Sequence, residues 1–120
     1  MHKLRHPNIV TVFGGCTERL TSEGEPEPYY CIVMEKLNKS LDDIINPSSP
    51  AMDEKAVVEL ACQIAGALVY LHMQTPVIVH RDLKPANVMK SESGEYKLID
   101  FGMAKVGVVY ILFSIIRVSC

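Results

Sequence analysis

Residues 80–87 read His-Arg-Asp-Leu-Lys-Pro-Ala-Asn, and Asp100-Phe101-Gly102 begins thirteen residues after Asn87. Two carboxylates, an ammonium and an amide are thereby set on two short loops. Such a group suits transfer of a phosphoryl group from Mg-ATP to a hydroxyl. Asp82 can orient the hydroxyl and accept its proton. The transition state of this reaction is loose, so positioning is the larger part of that role. Asn87 and Asp100 offer hard oxygen ligands for Mg2+, which prefers oxygen and retains waters. Lys84 can neutralise charge on the moving phosphate. The plainer alternative for Asp82 is a turn or capping residue.

The order and spacing of the two motifs resemble the catalytic loop and the metal loop of eukaryotic-type protein kinases. The resemblance runs from Leu4 to about Val106. Lys84 after Asp82-Leu83 points to the serine/threonine branch. Leu41-Asp42-Asp43 and the run Asp100 to Val106 are similar to its tyrosine-kinase-like group. The resemblance implies an α+β, partial kinase fold: the end of the small lobe, the hinge and the start of the helical lobe. It implies catalytic roles for Asp82 and Lys84, and metal binding by Asn87 and Asp100. ATP would be the co-substrate, Mg2+ the cofactor and a protein hydroxyl the acceptor.

The same resemblance makes Met34 the gatekeeper of the nucleotide pocket. It makes the Glu35 carbonyl and the Leu37 amide the adenine contacts of the hinge, with Met89 packing beneath the ring. An ordinary strand end is the alternative reading of Glu35 to Leu37. His80 and Phe101 are implied to pack on each other, with Gly102 completing the motif. Arg81 corresponds to a residue that often binds a phosphorylated activation segment.

Residues 1–106 thus read as a partial kinase domain and 107–120 as a hydrophobic tail outside the pattern. No Gly-rich loop, strand lysine or paired helix glutamate precedes the match, and no activation segment or Ala-Pro-Glu follows it. The resemblance therefore reads as truncated at both ends. The expectation is an enzyme by descent that is inactive or weak as an isolated chain. The alternative is a non-catalytic fragment that binds a kinase partner or competes with a longer relative. From Val106 to Ile116 the tail carries no charge, yet eleven residues fall short of the ~20 that span a bilayer as helix. Membrane insertion is not expected, and the β-branched content suits a strand or an aggregation-prone run.

These loops need elements to hold them. Met1 to Arg5 resembles a last helical turn ended by His6-Pro7. Ile9 to Phe13 and Tyr29 to Met34 are β-branched and aromatic, hence strands, and the acidic stretch Thr17 to Pro28 reads as a solvated loop. Leu37 to Ile45 predicts a short helix. Asp53 caps a long one reaching about Met73, with Val57, Leu60, Ala61, Ile64, Leu68 and Leu71 as its core stripe. Val77 to Val79 is a strand entering the first loop, and Val88 to Lys90 with Tyr96 to Ile99 form a hairpin.

The net charge of −2 gives no global pull toward nucleic acid or anionic membrane. The four cysteines, Cys16, Cys31, Cys62 and Cys120, show no CxxC pairing; Cys16 and Cys31 sit in strand-like runs and Cys62 on a helix pattern. They read as buried, reduced thiols, which suits a cytoplasmic protein, as does the absence of a signal peptide.

Overall fold

The computed structural model describes residues 4–101 and 104–106. The expected helix end at 1–3, Gly102, and the tail 107–120 lie outside the described residues. The chain is α+β, as expected. Strands β1 (Val12–Leu20) and β2 (Pro26–Met34) form one hairpin, followed by β3 (Lys39–Ser40), α1 (Leu41–Ile44) and α2 (Glu54–His72). Then come β4 (Ile78–Val79), a 3-10 turn (Pro85–Asn87), β5 (Val88–Lys90), β6 (Tyr96–Leu98) and β7 (Lys105–Val106). The strands pair antiparallel as β1-β2, β3-β5-β6 and β4-β7.

The core gathers Ile9, Ala67, Leu71, Val88, Tyr96 and Leu98, so α2 lies on the β5-β6 hairpin. Burying a side chain of Leu size contributes about 1.5–3 kcal/mol relative to leaving it exposed. Asp53 starts α2 by accepting the Ala56 N–H at 2.7 Å, satisfying one of the unpaired first-turn donors. The helix is long and apolar enough to cross a membrane. Its Ala67 and Leu71 are fully buried in this core instead. The predicted stripe is only partly core. Leu60, Ile64 and Leu68 are half-buried against the cluster, whereas Val57 and Ala61 are exposed. Together they line a groove of about 490 Å³ with Leu41, Leu83 and Val88, because no described element packs over that side of α2.

Four local expectations change. The strand predicted from Ile9 begins at Val12. Residues 8–10 run instead beside β6, where Asn8 O accepts the Leu98 N–H at 2.9 Å and the Val10 N–H donates to Leu98 O at 3.0 Å. Leu4 and Arg5 are not helical. The stretch read as a loop is mostly strand, and only residues 21–25 turn. Pro26 and Pro28 are tolerated because a two-stranded ribbon leaves one edge of each strand unpaired. Cross-strand Arg19 and Glu27 make an ion pair, with the Arg19 guanidinium over Tyr29. Helix α1 is shorter than predicted. Its start is set by a capping box in which Ser40 Oγ accepts the Asp43 N–H and Asp43 accepts the Ser40 N–H, so residues 37–40 stay extended or coiled.

The thiol reading also changes. Cys16 and Cys31 face each other across the hairpin and are joined as a disulfide, both half-buried, while Cys62 is exposed on α2. Gly15 is needed beside this pair, since a Cβ there would sit 2.7 Å from the Cys31 carbonyl oxygen.

Candidate active site

The loop between β4 and β5 is built around a buried histidine. His80 Nε2 donates to Ile99 O at 2.9 Å, and its Nδ1 accepts the Asp82 N–H at 3.3 Å. One tautomer, with the proton on Nε2, serves both bonds. The ring stands edge-on to Phe101, with centroids 5.0 Å apart. His80 thus ties the first loop to the second from inside.

Asp82 and Asn87 close the loop on itself. Asn87 Nδ2 donates to Asp82 Oδ2 and to Asp82 O, both at 2.9 Å. Lys84 Nζ lies 3.3 Å from the same Asp82 Oδ2. With Nδ2 engaged by Asp82, Asn87 keeps Oδ1 for another partner. Its backbone O accepts the Ile99 N–H at 3.0 Å, and Asp100 is the next residue. Two groups distant in sequence are therefore one hydrogen bond and one residue apart. Arg81 and Asp100 hold φ of 65° and 58°, the two non-glycine residues of positive φ among those described. Such backbone costs about 1–3 kcal/mol each and persists where surrounding contacts over-determine it.

The predicted hinge is the coil from Glu35 to Asn38 between β2 and β3. The Glu35 N–H donates to Thr11 O at 2.9 Å and the Asn38 N–H to Lys90 O at 2.8 Å. Among the described residues, neither the Glu35 carbonyl nor the Leu37 N–H enters a backbone hydrogen bond. Met34 is exposed at the end of β2. Met89 is half-buried on β5, opposite Ser40 and Lys97.

The pattern of the protein kinase domain family matches residues 1–109. The chain belongs to the protein kinase family. The chain is similar to drkD of Dictyostelium discoideum, named a probable serine/threonine-protein kinase, at 41% identity over 105 residues. That alignment covers 87% of this chain and 8% of the relative. It is also similar to the serine/threonine-protein kinase STY17 of Arabidopsis thaliana, at 33% over 107 residues, which cover 88% of this chain and 17% of that protein. The chain spans only a small part of these relatives' length. Its strands and α2 correspond to the small-lobe end and the start of the helical lobe of the kinase fold.

Two groupings around the candidate site escaped the sequence reading. Glu35 Oε1 accepts the Thr11 N–H and Lys97 Nζ, both at 2.8 Å, so the predicted hinge is pinned to the strand leading to Asp100. Burial pushes the Glu35 carboxyl up, but the Lys97 and Thr11 bonds outweigh it and hold the group below the ordinary carboxylate range. The second grouping joins Asn8, Gln63 and Tyr96. Gln63 Oε1 accepts Asn8 Nδ2 at 3.0 Å and the Tyr96 N–H at 2.7 Å, while Asn8 Nδ2 also donates to Tyr96 O at 2.9 Å. A polar residue inside the apolar half of α2 was the available signal for Gln63. Nothing local marked Lys97.

Proposed function

We propose that this chain carries the cleft floor of a serine/threonine protein kinase that moves a phosphoryl group from ATP to a protein hydroxyl. Asp82 orients the acceptor hydroxyl and takes its proton. Asn87, through its amide nitrogen, holds that carboxylate in place. Lys84, whose ammonium is already beside Asp82, offsets charge on the transferred group. Glu35 and Leu37 present a carbonyl and an amide to adenine, Met34 borders the base, and Met89 lies beneath it. His80, Arg81 and Phe101 shape the two loops rather than react. The observation that carries this reading is the Asp82 carboxylate oxygen shared by Asn87 and Lys84, with Asp100 brought alongside through the Ile99–Asn87 bond.

The donor set fits Mg2+: one amide oxygen and one carboxylate, both hard, leaving positions for water and phosphate oxygens. Bound there, Mg2+ would offset negative charge on the nucleotide phosphates. Asn87 Oδ1 and the Asp100 carboxylate are the groups that would hold it. Among the described residues, none supplies a glycine-rich cover or a strand lysine for the phosphates. Losing one preorganised charge contact costs about 10²–10³ in rate, so turnover by this chain alone should be very slow.

A non-catalytic role, binding a kinase partner, is the second reading. It is favoured by the apolar surface of the β1-β2 hairpin, where Phe13, Tyr30 and Ile32 are each about two-thirds or more exposed.

Calorimetric titration of the purified chain with ATP, with and without Mg2+, tests the first reading. Mg2+-dependent binding that disappears in Asp100→Ala is expected. Binding that is equal in both proteins would refute the metal assignment, and rapid Asp82-dependent turnover would refute the reading of weak activity.

A further inference from the structure

The β1-β2 hairpin packs on itself far more than on any other element. Its base is held by the Thr11–Glu35 bonds, and Glu35 opens the hinge. Near the middle, Cys16 and Cys31 are register partners with Cα atoms 5.3 Å apart, within the range a disulfide spans without backbone movement. Both are half-buried at the hairpin surface, so a small reagent can reach them. Neither takes part in the catalytic geometry.

We propose that Cys16 and Cys31 are a reversible thiol–disulfide switch, with a small-molecule disulfide as oxidant, that stiffens the hairpin ending at the hinge. The thiolate of one cysteine attacks a sulfur of glutathione disulfide, forming a mixed disulfide and expelling one glutathione thiolate. The second cysteine's thiolate then attacks the protein sulfur of that mixed disulfide and expels the other glutathione. Two protein thiols are oxidised, one disulfide is reduced to two thiols, and the two thiol protons pass to the released thiolates or to solvent. Register placement makes the second attack intramolecular, so the ring closes in preference to a lasting glutathione adduct. Where a compartment keeps thiols reduced, the pair rests open and closes only under oxidant.

The consequence is mechanical. The bridge joins residues 15 apart in sequence. A closed loop of that size opposes opening by about 10²-fold in the chain-entropy account. A ribbon with little packing elsewhere feels this more than a core strand does. The inference does not depend on nucleotide binding, because its readouts are thiols and amides.

The test uses the full chain, reduced and then equilibrated with glutathione and glutathione disulfide in varied ratio, acid-quenched, alkylated and peptide-mapped. The expected product is one disulfide joining the Cys16 and Cys31 peptides, with loss of two thiols, reversed by dithiothreitol. Cys16→Ser should leave Cys31 as the free thiol or a single glutathione adduct. Separate glutathione adducts on both cysteines, or bridges to Cys62 or Cys120 in greater yield, would overturn the pairing. Hydrogen exchange of amides 12–34 in the oxidised wild type should be slower by about 10²-fold than in the reduced wild type. Equal exchange in the two states would overturn the stiffening.

Discussion

Gln63 stands between helix α2 and the strand that delivers Asp100, and replacing it by leucine isolates its polar role. Leucine is similar in size and about equal in helix propensity, so packing and α2 are little disturbed. In the native chain Gln63 Oε1 accepts from Asn8 Nδ2 and from the Tyr96 N–H. Asn8 retains its bond to Tyr96 O after the change, losing one contact of about 0.5–1.5 kcal/mol. The Tyr96 N–H belongs to a residue only 3% exposed and is left with no acceptor, at a cost of about 1–3 kcal/mol. Gln63→Leu should therefore lose about 1.5–4.5 kcal/mol in all. Urea unfolding followed by circular dichroism should show a lower midpoint at unchanged slope. Gln63→Glu, which keeps an oxygen acceptor, should recover most of the loss. Combined with Asn8→Ala, Gln63→Leu should show coupling above about 0.5 kcal/mol in a double-mutant cycle. A loss below about 0.5 kcal/mol for Gln63→Leu, or strict additivity with Asn8→Ala, would refute the reasoning.

Asp53→Ala removes the acceptor of the Ala56 N–H and should cost about 0.5–2 kcal/mol in the same unfolding assay. Gly15→Ala forces a Cβ toward the Cys31 carbonyl, so faster amide exchange in the hairpin is expected, while β5 and β6 stay protected. Glu35 has a folded pKa below its ordinary 4.5, so between those values the unfolded state binds more protons and stability rises with pH. Its contribution is present above pH ~4.5 and lost as pH falls through the folded value; Lys97→Met should flatten that acid limb in stability–pH titrations. Deleting residues 107–120 removes an uncharged, β-prone run and should raise solubility without lowering the melting temperature, as sedimentation and thermal melts would read.

The two loops that carry Asp82, Lys84, Asn87 and Asp100 were legible because each is a contiguous motif, where local spacing specifies the loop. Helix α2 was legible too, since a cap, a length and a period are all local properties. The β5-β6 hairpin was visible for the same reason, from two strand-like runs around Ser91 to Glu95. Burial was not local. Val57 and Leu71 look equivalent in the stripe, yet one is exposed and the other fully buried, and only what packs opposite them decides that. The stretch Thr17 to Pro28 looked like loop because its composition is acidic and proline-containing, whereas cross-strand pairing at open ribbon edges made it strand. Cys16 with Cys31, Glu35 with Lys97, and Asn8 with Gln63 are pairs separated by 15, 62 and 55 positions. No spacing rule reaches that far. Residue types that can do the chemistry were written in the sequence, but the bonds that hold them in place exist only once the chain has folded and distant polar groups have each found a partner.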